Sequence, residues 1–327
     1  MSPIPRAIAR GGIDLGGTKI QTVVVNESNA VLGAARTETP RSGGPEAIAA
    51  AMADCLRQAA DGAGYETDSL RGVGVGSPGD VDNAAGTVTG AKNLSEWGGS
   101  FGLAANLNRA LGCSISLGND VQVATTAEYK LGAGKGYETL VGIFWGTGVG
   151  GGLVLNGEDW LGRGAAGEVG HMVIKRGGRR CPCGNRGCME AYAGRAAMEA
   201  EARSRHKKGQ KTILFELMRS KGKDRLTSSV WEKAVKHEDK LALDLIDGAI
   251  KAIGAAAASA VNLLDVEAVI LGGGLGVRFV DRYGPKIEKR MHKNLFNKAD
   301  PPAFKVAELG DLGGAVGAAL LAEAPPS

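Results

Sequence analysis

Hydrophobic residues recur along this chain with two alternating periods, one typical of strands and one typical of helices. Ile20–Val25 (IQTVVV) and Val31–Thr37 are rich in β-branched residues and predict two strands, which follow a tight turn at Gly16-Gly17. Residues 45–60 begin with a proline and carry hydrophobic side chains at helical spacing. The first sixty residues therefore predict a hairpin or meander followed by a helix.

The same alternation continues through the rest of the chain. Strands are predicted at Val73–Val75, Ser114–Leu117, Thr139–Trp145, Leu153–Leu155 and Val269–Leu271, and helices at Val121–Leu131, 238–264 and Gly314–Ala322. The second hairpin, at Thr139–Leu155, repeats the architecture of the first. Residues 203–211 are basic and lack interleaved aromatic side chains, which favours a solvated connector. Alternating strands and helices predict an α/β fold.

The length of the chain predicts two domains. It has 327 residues, and a domain typically takes about 150. We expect a smaller α/β lobe over residues 1–125 and a larger one over residues 126–313. The helix at residues 314–327 is expected to pack back onto the first lobe.

Charge and cysteine usage exclude several classes of protein. The 39 Lys and Arg and 35 Asp and Glu give a net charge of +4, which excludes a strongly basic nucleic-acid-wrapping protein. No apolar stretch reaches the ~20 residues of a membrane span, and residues 1–12 lack the hydrophobic region of a secretory signal. Three of the five cysteines lie close together, which is not a disulfide framework. We therefore expect a reduced, cytoplasmic protein.

Glycine is the outlier of the composition, with 52 residues that cluster at a few turns. Two stretches, one starting at Gly146 and one at Gly74, fit the letters of a dinucleotide-binding fingerprint. Neither opens a helix, as the pyrophosphate site of that motif requires. The Walker A pattern is absent from the sequence. The motifs thus favour neither an NAD enzyme nor a P-loop NTPase.

Two glycine turns nevertheless have the composition of phosphate-binding loops. Their backbone N–H groups can line an anion site, to which a hydroxyl and a lysine add further contacts. A carboxylate before the first turn can hold Mg²⁺ through water. The first turn comprises Asp14, Gly16, Gly17, Thr18 and Lys19, and the second comprises Gly146, Thr147 and Gly148. Either turn alone is also typical of an ordinary hairpin, but the two together could hold a polyphosphate from both sides.

One irregular segment has the composition of a metal site. Its donors are three cysteines at C-x-C-x₄-C spacing and one upstream histidine, namely His171, Cys181, Cys183 and Cys188. Four such ligands close a tetrahedral Zn²⁺ site and leave no position for water, which predicts a structural metal. Glu168 and Glu190 flank the ligands and would be held rigidly by the ion. The alternative is a loop of unligated cysteines.

A second polar pair, Asn119-Asp120, lies where a predicted strand ends and a helix begins. Ligands of open α/β sheets bind at the carboxyl ends of strands. A carboxylate there could accept the proton of a substrate hydroxyl. The alternative is that Asp120 is the N-cap of the helix, a position that Asp favours.

Several motifs follow one another in an order that resembles a known family. They are Asp14–Lys19, Pro78–Asp82, Lys92–Leu94, Asn119-Asp120, Gly146–Gly150, Glu168–His171, Cys181–Glu190, Leu271–Gly274 and Gly317–Ala319. Over residues 12–322 the sequence resembles the ROK family (repressors, open reading frames and sugar kinases), and within it the zinc-containing bacterial glucokinases. The Cys/His segment is the most specific part of this resemblance.

The resemblance implies a two-lobed α/β fold of the actin/Hsp70/hexokinase type (ribonuclease H-like), with a cleft between the lobes. It also implies a cytoplasmic kinase that uses ATP and Mg²⁺ to phosphorylate a hexose. The resemblance to the glucokinases implies glucose as the hexose and its 6-hydroxyl as the acceptor. A structural Zn²⁺ and assembly as a homodimer or homotetramer are implied as well. Sugar and nucleotide are the expected partners, with no nucleic acid and no membrane.

The resemblance also assigns roles to single residues. Asp120 matches the catalytic base, and the two glycine hairpins match the phosphate loops. Gly273 and Gly274 match positions near the adenosine. The zinc ligands match His171, Cys181, Cys183 and Cys188, and the sugar contacts match Asn93, Asn119, Glu168, His171 and Glu190.

Two departures from the family pattern accompany these matches. Trp145 stands before the second glycine turn in place of a smaller aliphatic residue, where it either touches the donor or fills the core. Asp80 replaces the second proline of a Pro-Gly-Pro-Val-Asp loop. The substrate alternatives are N-acetylglucosamine, mannose or another hexose, with polyphosphate as another donor. A sugar-sensing regulator is disfavoured, because thirteen residues before Asp14 are too few for a three-helix DNA reader.

Overall fold

The computed structural model describes residues 8–91 and 94–323, which form two compact units. The first unit comprises Met1–Lys135, Leu161–Gly164 and Glu308–Ser327, and the second comprises Gly136–Trp160 and Ala165–Ala307. The division after Lys135 lies ten residues beyond the expected one. The reason is that the helix starting at residue 120 packs against the last helix of the chain and so belongs entirely to the first unit.

Strands and helices alternate through the described residues. The strands are β1 (Ala9–Leu15), β2 (Lys19–Asn26), β3 (Val31–Glu38), β4 (Val73–Ser77), β5 (Asp80–Asp82), β6 (Thr87–Thr89), β7 (Ser100–Phe101), β8 (Ile115–Asn119), β9 (Leu140–Trp145), β10 (Val149–Leu155), β11 (Glu158–Asp159), β12 (Ala268–Gly272) and β13 (Ala303–Val306). The α-helices are α1 (Gly44–Ala63), α2 (Leu103–Leu111), α3 (Asp120–Leu131), α4 (Glu190–Ala193), α5 (Arg195–Lys207), α6 (Leu214–Ser220), α7 (Ser228–Lys236), α8 (Lys240–Leu264), α9 (Gly273–Asn294) and α10 (Gly313–Leu320).

The first unit is built on a sheet of order β3-β2-β1-β4-β8. Strands β1 to β3 form an antiparallel meander, and β4 and β8 run parallel to β1. Successive residues of β2 face opposite sides of this sheet, as the period of two requires. Val24 belongs to the core cluster under α1, whereas Val23 and Val25 pack with the alanines of α10. The sheet is therefore covered on both faces.

The second unit has a sheet of order β11-β10-β9-β12-β13. Strands β9 to β11 are antiparallel, and β12 and β13 are parallel to β9. The long helix α8 buries an apolar face in a large core that includes Trp145 and Trp231, both fully buried. Each unit contains a hairpin of two strands joined by a glycine turn, β1-β2 and β9-β10, as the sequence predicted. The likeness of the two whole sheets goes beyond that prediction.

Several elements differ from those that the pattern predicted. The helices that were not expected are α2, α4, α5, α6, α7 and α9. Strands β11 and β13 and the small sheet β5-β6-β7 were not expected either. The expected connector at residues 203–211 is helical as far as Lys207, because Arg203 pairs with Glu199 and Arg205 with Glu201 one helical turn apart. Among the helices of residues 8–91 and 94–323, none combines the length and apolarity that a bilayer span requires.

Candidate active site and metal centre

The carboxyl ends of three parallel strands meet at one edge of the first sheet. In the register of this sheet Asp14 pairs with Gly76, and Gly76 pairs with Gly118. Strands lie ~4.8 Å apart, so the ends of β1 and β8 are separated by two such spacings. Asp14 and Asp120 therefore belong to the same edge, where open α/β sheets bind ligands.

Asn119, and not Asp120, caps helix α3. Asn119 has the extended backbone of an N-cap, and its Oδ1 accepts hydrogen bonds from Val121 N (3.1 Å) and Gln122 N (3.2 Å). Asp120 is the first helical residue, and its Oδ1 accepts from Val121 N at 3.0 Å. The alternative interpretation of Asp120 as the N-cap is wrong, because its neighbour takes that task.

The turn between β1 and β2 presents an exposed tip beside the half-buried carboxylate of Asp14. Gly16 N donates to Lys19 O at 2.9 Å, and Gly17 and Thr18 are exposed. Lys19 Nζ lies 3.6 Å from Asp311 Oδ1. Burial raises the pKa of Asp14, an effect that Lys19 opposes and Asp311 adds to. Burial thus makes the negative charge of Asp14 costly.

The turn between β9 and β10 is tied to the start of α5. Gly146 N donates to Gly148 O at 3.0 Å. The N–H groups of Arg195 and Ala196 donate to the carbonyl oxygens of Gly146 (3.1 Å) and Thr147 (3.0 Å). Two strands and a helix therefore fix this second hairpin.

Trp145 fills the core beneath the second hairpin. Its side chain is fully buried, and its Nε1 donates to Ala193 O at 2.6 Å. Its ring lies 5.9 Å from that of Phe279, between centroids. Of the two roles considered for Trp145, the structure shows the core role.

The glycine turn before α9 adjoins the second hairpin. Gly272 pairs with Phe144 on the neighbouring strand β9. Gly273 has a left-handed φ of 81°, and a Cβ there would come within 2.6 Å of Trp145 O, so glycine is required. The structure therefore brings Gly146, Thr147 and Gly148 together with Gly273 and Gly274 at one end of the second sheet.

The predicted metal ligands form a single cluster. The donor atoms of His171, Cys181, Cys183 and Cys188 all lie within 4.8 Å of one another. Cys181 Sγ is 3.6 Å from His171 Nδ1, and Cys183 Sγ is 3.7 Å from Cys188 Sγ. A tetrahedral zinc ion with bonds of ~2.3 Å to sulfur and ~2.0 Å to nitrogen would space these atoms by ~3.5–3.8 Å. Donor types and spacings both fit zinc.

The two flanking glutamates occupy different surroundings. The Nδ1 of His171 faces the cysteines, and its Nε2 lies 3.8 Å from Glu168 Oε2. Glu190 begins α4, and its Oε2 accepts from Val149 N at 2.9 Å. Its Oε1 lies 3.9 Å from Cys181 Sγ. Glu190 thus joins the metal cluster to the second hairpin.

The comparisons with known proteins agree with these observations. The chain matches the ROK family over residues 10–324. The chain belongs to the ROK family. This ROK chain is 31% identical to a glucokinase of Thermotoga maritima over 85% of its length and 86% of that protein. It is 30% identical to an N-acetylgalactosamine kinase of a Shewanella species over 95% of both chains.

A solved structure shows the same fold. The ROK family glucokinase of Streptomyces griseus, in complex with glucose and AMPPNP, is 30% identical and superimposes with a TM-score of 0.81. The match covers 96% of this ROK chain and 99% of that one. The likeness confirms the fold class predicted from the sequence, the two-lobed α/β fold of the hexokinase type.

The expected site residues of this ROK chain divide between its two units. The first unit holds Asp14, Gly16, Gly17, Thr18, Lys19, Asn119 and Asp120; the second holds Gly146, Thr147, Gly148, Glu168, His171, Cys181, Cys183, Cys188, Glu190, Gly273 and Gly274. Asn93 lies outside the described residues. Asp80 is exposed on β5. Sequence reasoning missed Arg195, which contacts the second hairpin and has no motif around it that marks it.

Proposed function

We propose that this ROK protein is a hexose kinase that transfers the γ-phosphate of ATP to the 6-hydroxyl of glucose. The observation that carries the proposal is the position of Asp120, a carboxylate in the first turn of α3 at the carboxyl end of β8. The likeness to a glucokinase bound to glucose and AMPPNP supports the choice of substrates.

Asp120 is the general base of the proposed reaction. The 6-hydroxyl oxygen of the sugar attacks the γ-phosphorus in line, and its proton passes to Asp120. The bond between the γ-phosphorus and the bridging oxygen breaks, and ADP leaves. Phosphoryl transfer depends mainly on positioning and electrostatics, and a base of this kind typically contributes ~10²–10⁴-fold.

Two glycine turns, Gly16–Lys19 and Gly146–Gly148, are the proposed phosphate-binding segments for the donor. The phosphates are proposed to lie against the turn residues Gly16, Gly17, Thr18, Lys19, Gly146, Thr147 and Gly148, and the adenosine near Gly273 and Gly274. The N–H groups of Gly16 and Gly146 close their own turns on Lys19 O and Gly148 O, so they shape the turns and do not donate to the phosphates. A Mg²⁺ ion held through water by Asp14 would neutralise charge on the phosphates.

The sugar is held by carboxylates, amides and one imidazole. Asn93, Asn119, Glu168, His171 and Glu190 are the proposed contacts. Because Asn119 Oδ1 serves the helix, its amide Nδ2 is the atom that can donate to a sugar oxygen. Glu190 accepts from Val149 N through Oε2, so its placement depends on the hairpin.

We propose that the Cys₃His cluster holds one structural Zn²⁺ per chain. Cys183→Ser is expected to lose the metal and to unfold at lower temperature, because four ligands close the site. Cys113→Ser, a buried cysteine of the first unit, is the matched control and retains the metal. Elemental analysis that finds no zinc in the native protein contradicts this assignment.

An N-acetylhexosamine is the second candidate substrate. The identity with an N-acetylgalactosamine kinase is almost the same as that with the glucokinases. Mannose, another hexose, and polyphosphate in place of ATP are the remaining alternatives.

The protein is proposed to act in the cytoplasm as a homodimer or homotetramer. Light scattering tests the oligomeric state, because the measured mass should be two or four times that of the 33.5 kDa chain.

The proposed function is tested by ADP release with Mg·ATP and a panel of sugars. The panel contains glucose, mannose, N-acetylglucosamine, N-acetylgalactosamine, fructose and no sugar. ADP release that depends on glucose is the expected result. ADP release with another sugar would correct the proposed substrate and support the proposed reaction. No phosphorylation of any sugar, with ATP or with polyphosphate as the donor, would contradict the proposed kinase activity.

A further inference from the structure

Arg195 links two segments of the second unit at the tip of its glycine hairpin. It begins α5, and its Nη2 donates to Thr147 Oγ1 at 2.7 Å. Its Nη1 donates to Leu226 O at 3.0 Å, just before α7. The guanidinium is therefore held in one position by two hydrogen bonds.

Among the described residues, this guanidinium forms no direct ion pair. Within residues 8–91 and 94–323, no carboxylate oxygen lies within 4 Å of its nitrogens, whereas most arginines of α5 are paired. Glu199, one turn further along α5, bonds Arg203 through Oε1 and Leu226 N through Oε2. Burial lowers the pKa of Arg195, an effect that the charge of Glu199 opposes and that of Arg225 adds to. A half-buried cation without a direct ion pair is costly unless a ligand compensates its charge.

The hairpin beside Arg195 has two unused donors. The N–H of Gly146 bonds Gly148 O, and the N–H of Val149 bonds Glu190. Among the described residues, the N–H groups of Thr147 and Gly148 have no hydrogen-bond partner. Two free backbone donors next to a guanidinium without a direct ion pair form an anion-binding arrangement.

We propose that Arg195 is a donor-binding residue whose guanidinium attracts the phosphate chain of the nucleotide held on the Gly146–Gly148 hairpin. This inference rests on the proposed function and deepens it, because it names the charge that recognises the donor in the second unit. Its hydrogen bond also holds the Thr147 hydroxyl at the hairpin tip. The ligand chemistry is that of a nucleoside triphosphate, whose negative charge grows from AMP to ATP.

The test compares nucleotide binding by Arg195→Gln, Arg195→Lys and a matched control. Arg205→Gln is the control, because Arg205 lies on the same helix and pairs with Glu201 and Asp244 without touching the hairpin. Calorimetry measures Kd for AMP, ADP and ATP without sugar, and for glucose without nucleotide. Steady-state assays give KM for ATP and for glucose separately.

We expect Arg195→Gln to weaken ATP binding by about tenfold to a hundredfold, the range of a charge-assisted contact. AMP binding should change by less than about threefold, because AMP carries less charge. Kd and KM for glucose should stay unchanged. Arg195→Lys should restore part of the ATP affinity, since it keeps the charge and loses the planar fork.

Several outcomes overturn the inference. Unchanged ATP affinity in Arg195→Gln removes Arg195 from donor binding. If Arg195→Gln loses affinity equally for AMP, ADP, ATP and glucose and has a lower Tm, Arg195 has a structural role instead. If Arg195→Gln does not fold, an ATP affinity in Arg195→Lys equal to that of the native protein overturns the claim that the guanidinium group itself binds the donor. Native protein that neither binds ATP nor phosphorylates a sugar contradicts the proposed function itself, before any variant is measured.

Discussion

Two neighbouring residues divide two tasks at the end of β8. Asn119 satisfies the first N–H groups of α3, so Asp120 is not needed as the cap. Both Asn and Asp favour the N-cap position, and the sequence left the choice open. The backbone decides it, because Asn119 has φ −65° and ψ 136°, which are extended, and Asp120 already belongs to the helix.

Asp120→Asn is expected to lower kcat by about 10²–10⁴-fold, because an amide does not accept the sugar proton. Sugar binding should survive, since Asn keeps the shape and can still accept from Val121 N. Turnover and glucose titration measure the two effects. Asp61→Asn, an exposed substitution near the end of α1, is the control. A near-native rate for Asp120→Asn removes the residue from its proposed role.

Ionised Asp14 is expected to destabilise the folded protein, although the proposed reaction uses its carboxylate. Burial raises its folded-state pKa above the unfolded value near 3.8, so the folded state binds this proton more tightly. The contribution of Asp14 to the free energy of unfolding therefore falls as pH rises from 3.8 through the folded-state pKa. At pH values above the folded-state pKa, the destabilisation by the ionised carboxylate is complete. Asp14→Asn abolishes this titration, so the difference in Tm between variant and native protein should grow with pH.

Thermal unfolding from about pH 3.5 to about pH 8 measures that difference across the range in which the carboxyl group titrates. Asp61→Asn is again the control. Turnover with Mg·ATP should fall in the same Asp14→Asn variant. A Tm difference that shrinks as pH rises contradicts the sign of the effect.

At the scale of elements, glycines allow α10 to lie directly on the first sheet. A Cβ at Gly12 would collide with Ala315 O, and one at Gly74 would collide with Ala318 O. The helix contributes alanines at these contacts, which buries backbone against backbone. At Gly12 and Gly74 the sheet and the helix leave no room for a side chain between them.

Gly74→Ala is expected to destabilise the protein by about 1–3 kcal/mol, because the new methyl group forces α10 away from the sheet. Gly62→Ala is the matched control: Gly62 is an exposed helical residue with open space around it. That substitution should stabilise by about 0.5–1 kcal/mol, since alanine favours a helix. Urea denaturation measures both. A stabilising Gly74→Ala would show that the helix does not pack as described.

The elements that sequence reasoning missed have identifiable causes. Helix α9 contains several glycines and Pro285, which argue against a helix, yet it buries Phe279, Tyr283, Ile287 and Met291 at helical spacing. Helix α5 buries only Met198 and Ala202, too few to show a period. Strands β2, β4, β9 and β12 were predictable because their runs of hydrophobic residues are buried. The short strands β11 and β13 have no such run and were missed. Arg195 was not, because its partners Thr147 and Leu226 are distant in sequence.

At the scale of the whole molecule, the chain enters the first unit twice. Residues Glu308–Ser327, which follow the second unit in the sequence, complete the first unit. The buried side chain of Glu128, on α3, makes this junction. Its Oε2 accepts from Ala133 N and Glu308 N, and its Oε1 accepts from Leu309 N, all at 3.0 Å. One carboxylate thus joins residues that are 180 positions apart in the sequence.

Glu128→Gln is expected to destabilise the first unit by about 2–3 kcal/mol, because one oxygen becomes an amide that faces backbone donors in a buried place. Glu267→Gln is the matched control, since Glu267 accepts from Glu138 N and Thr139 N in the same manner but is exposed. The free energy of unfolding should fall much less in Glu267→Gln, because water can replace the missing acceptor at this exposed position. Limited proteolysis with mass spectrometry should then cut the Glu128→Gln variant first near residues 308–312, while residues 136–307 persist. Equal losses in the two variants would show that burial of the carboxylate does not decide the stability of the junction.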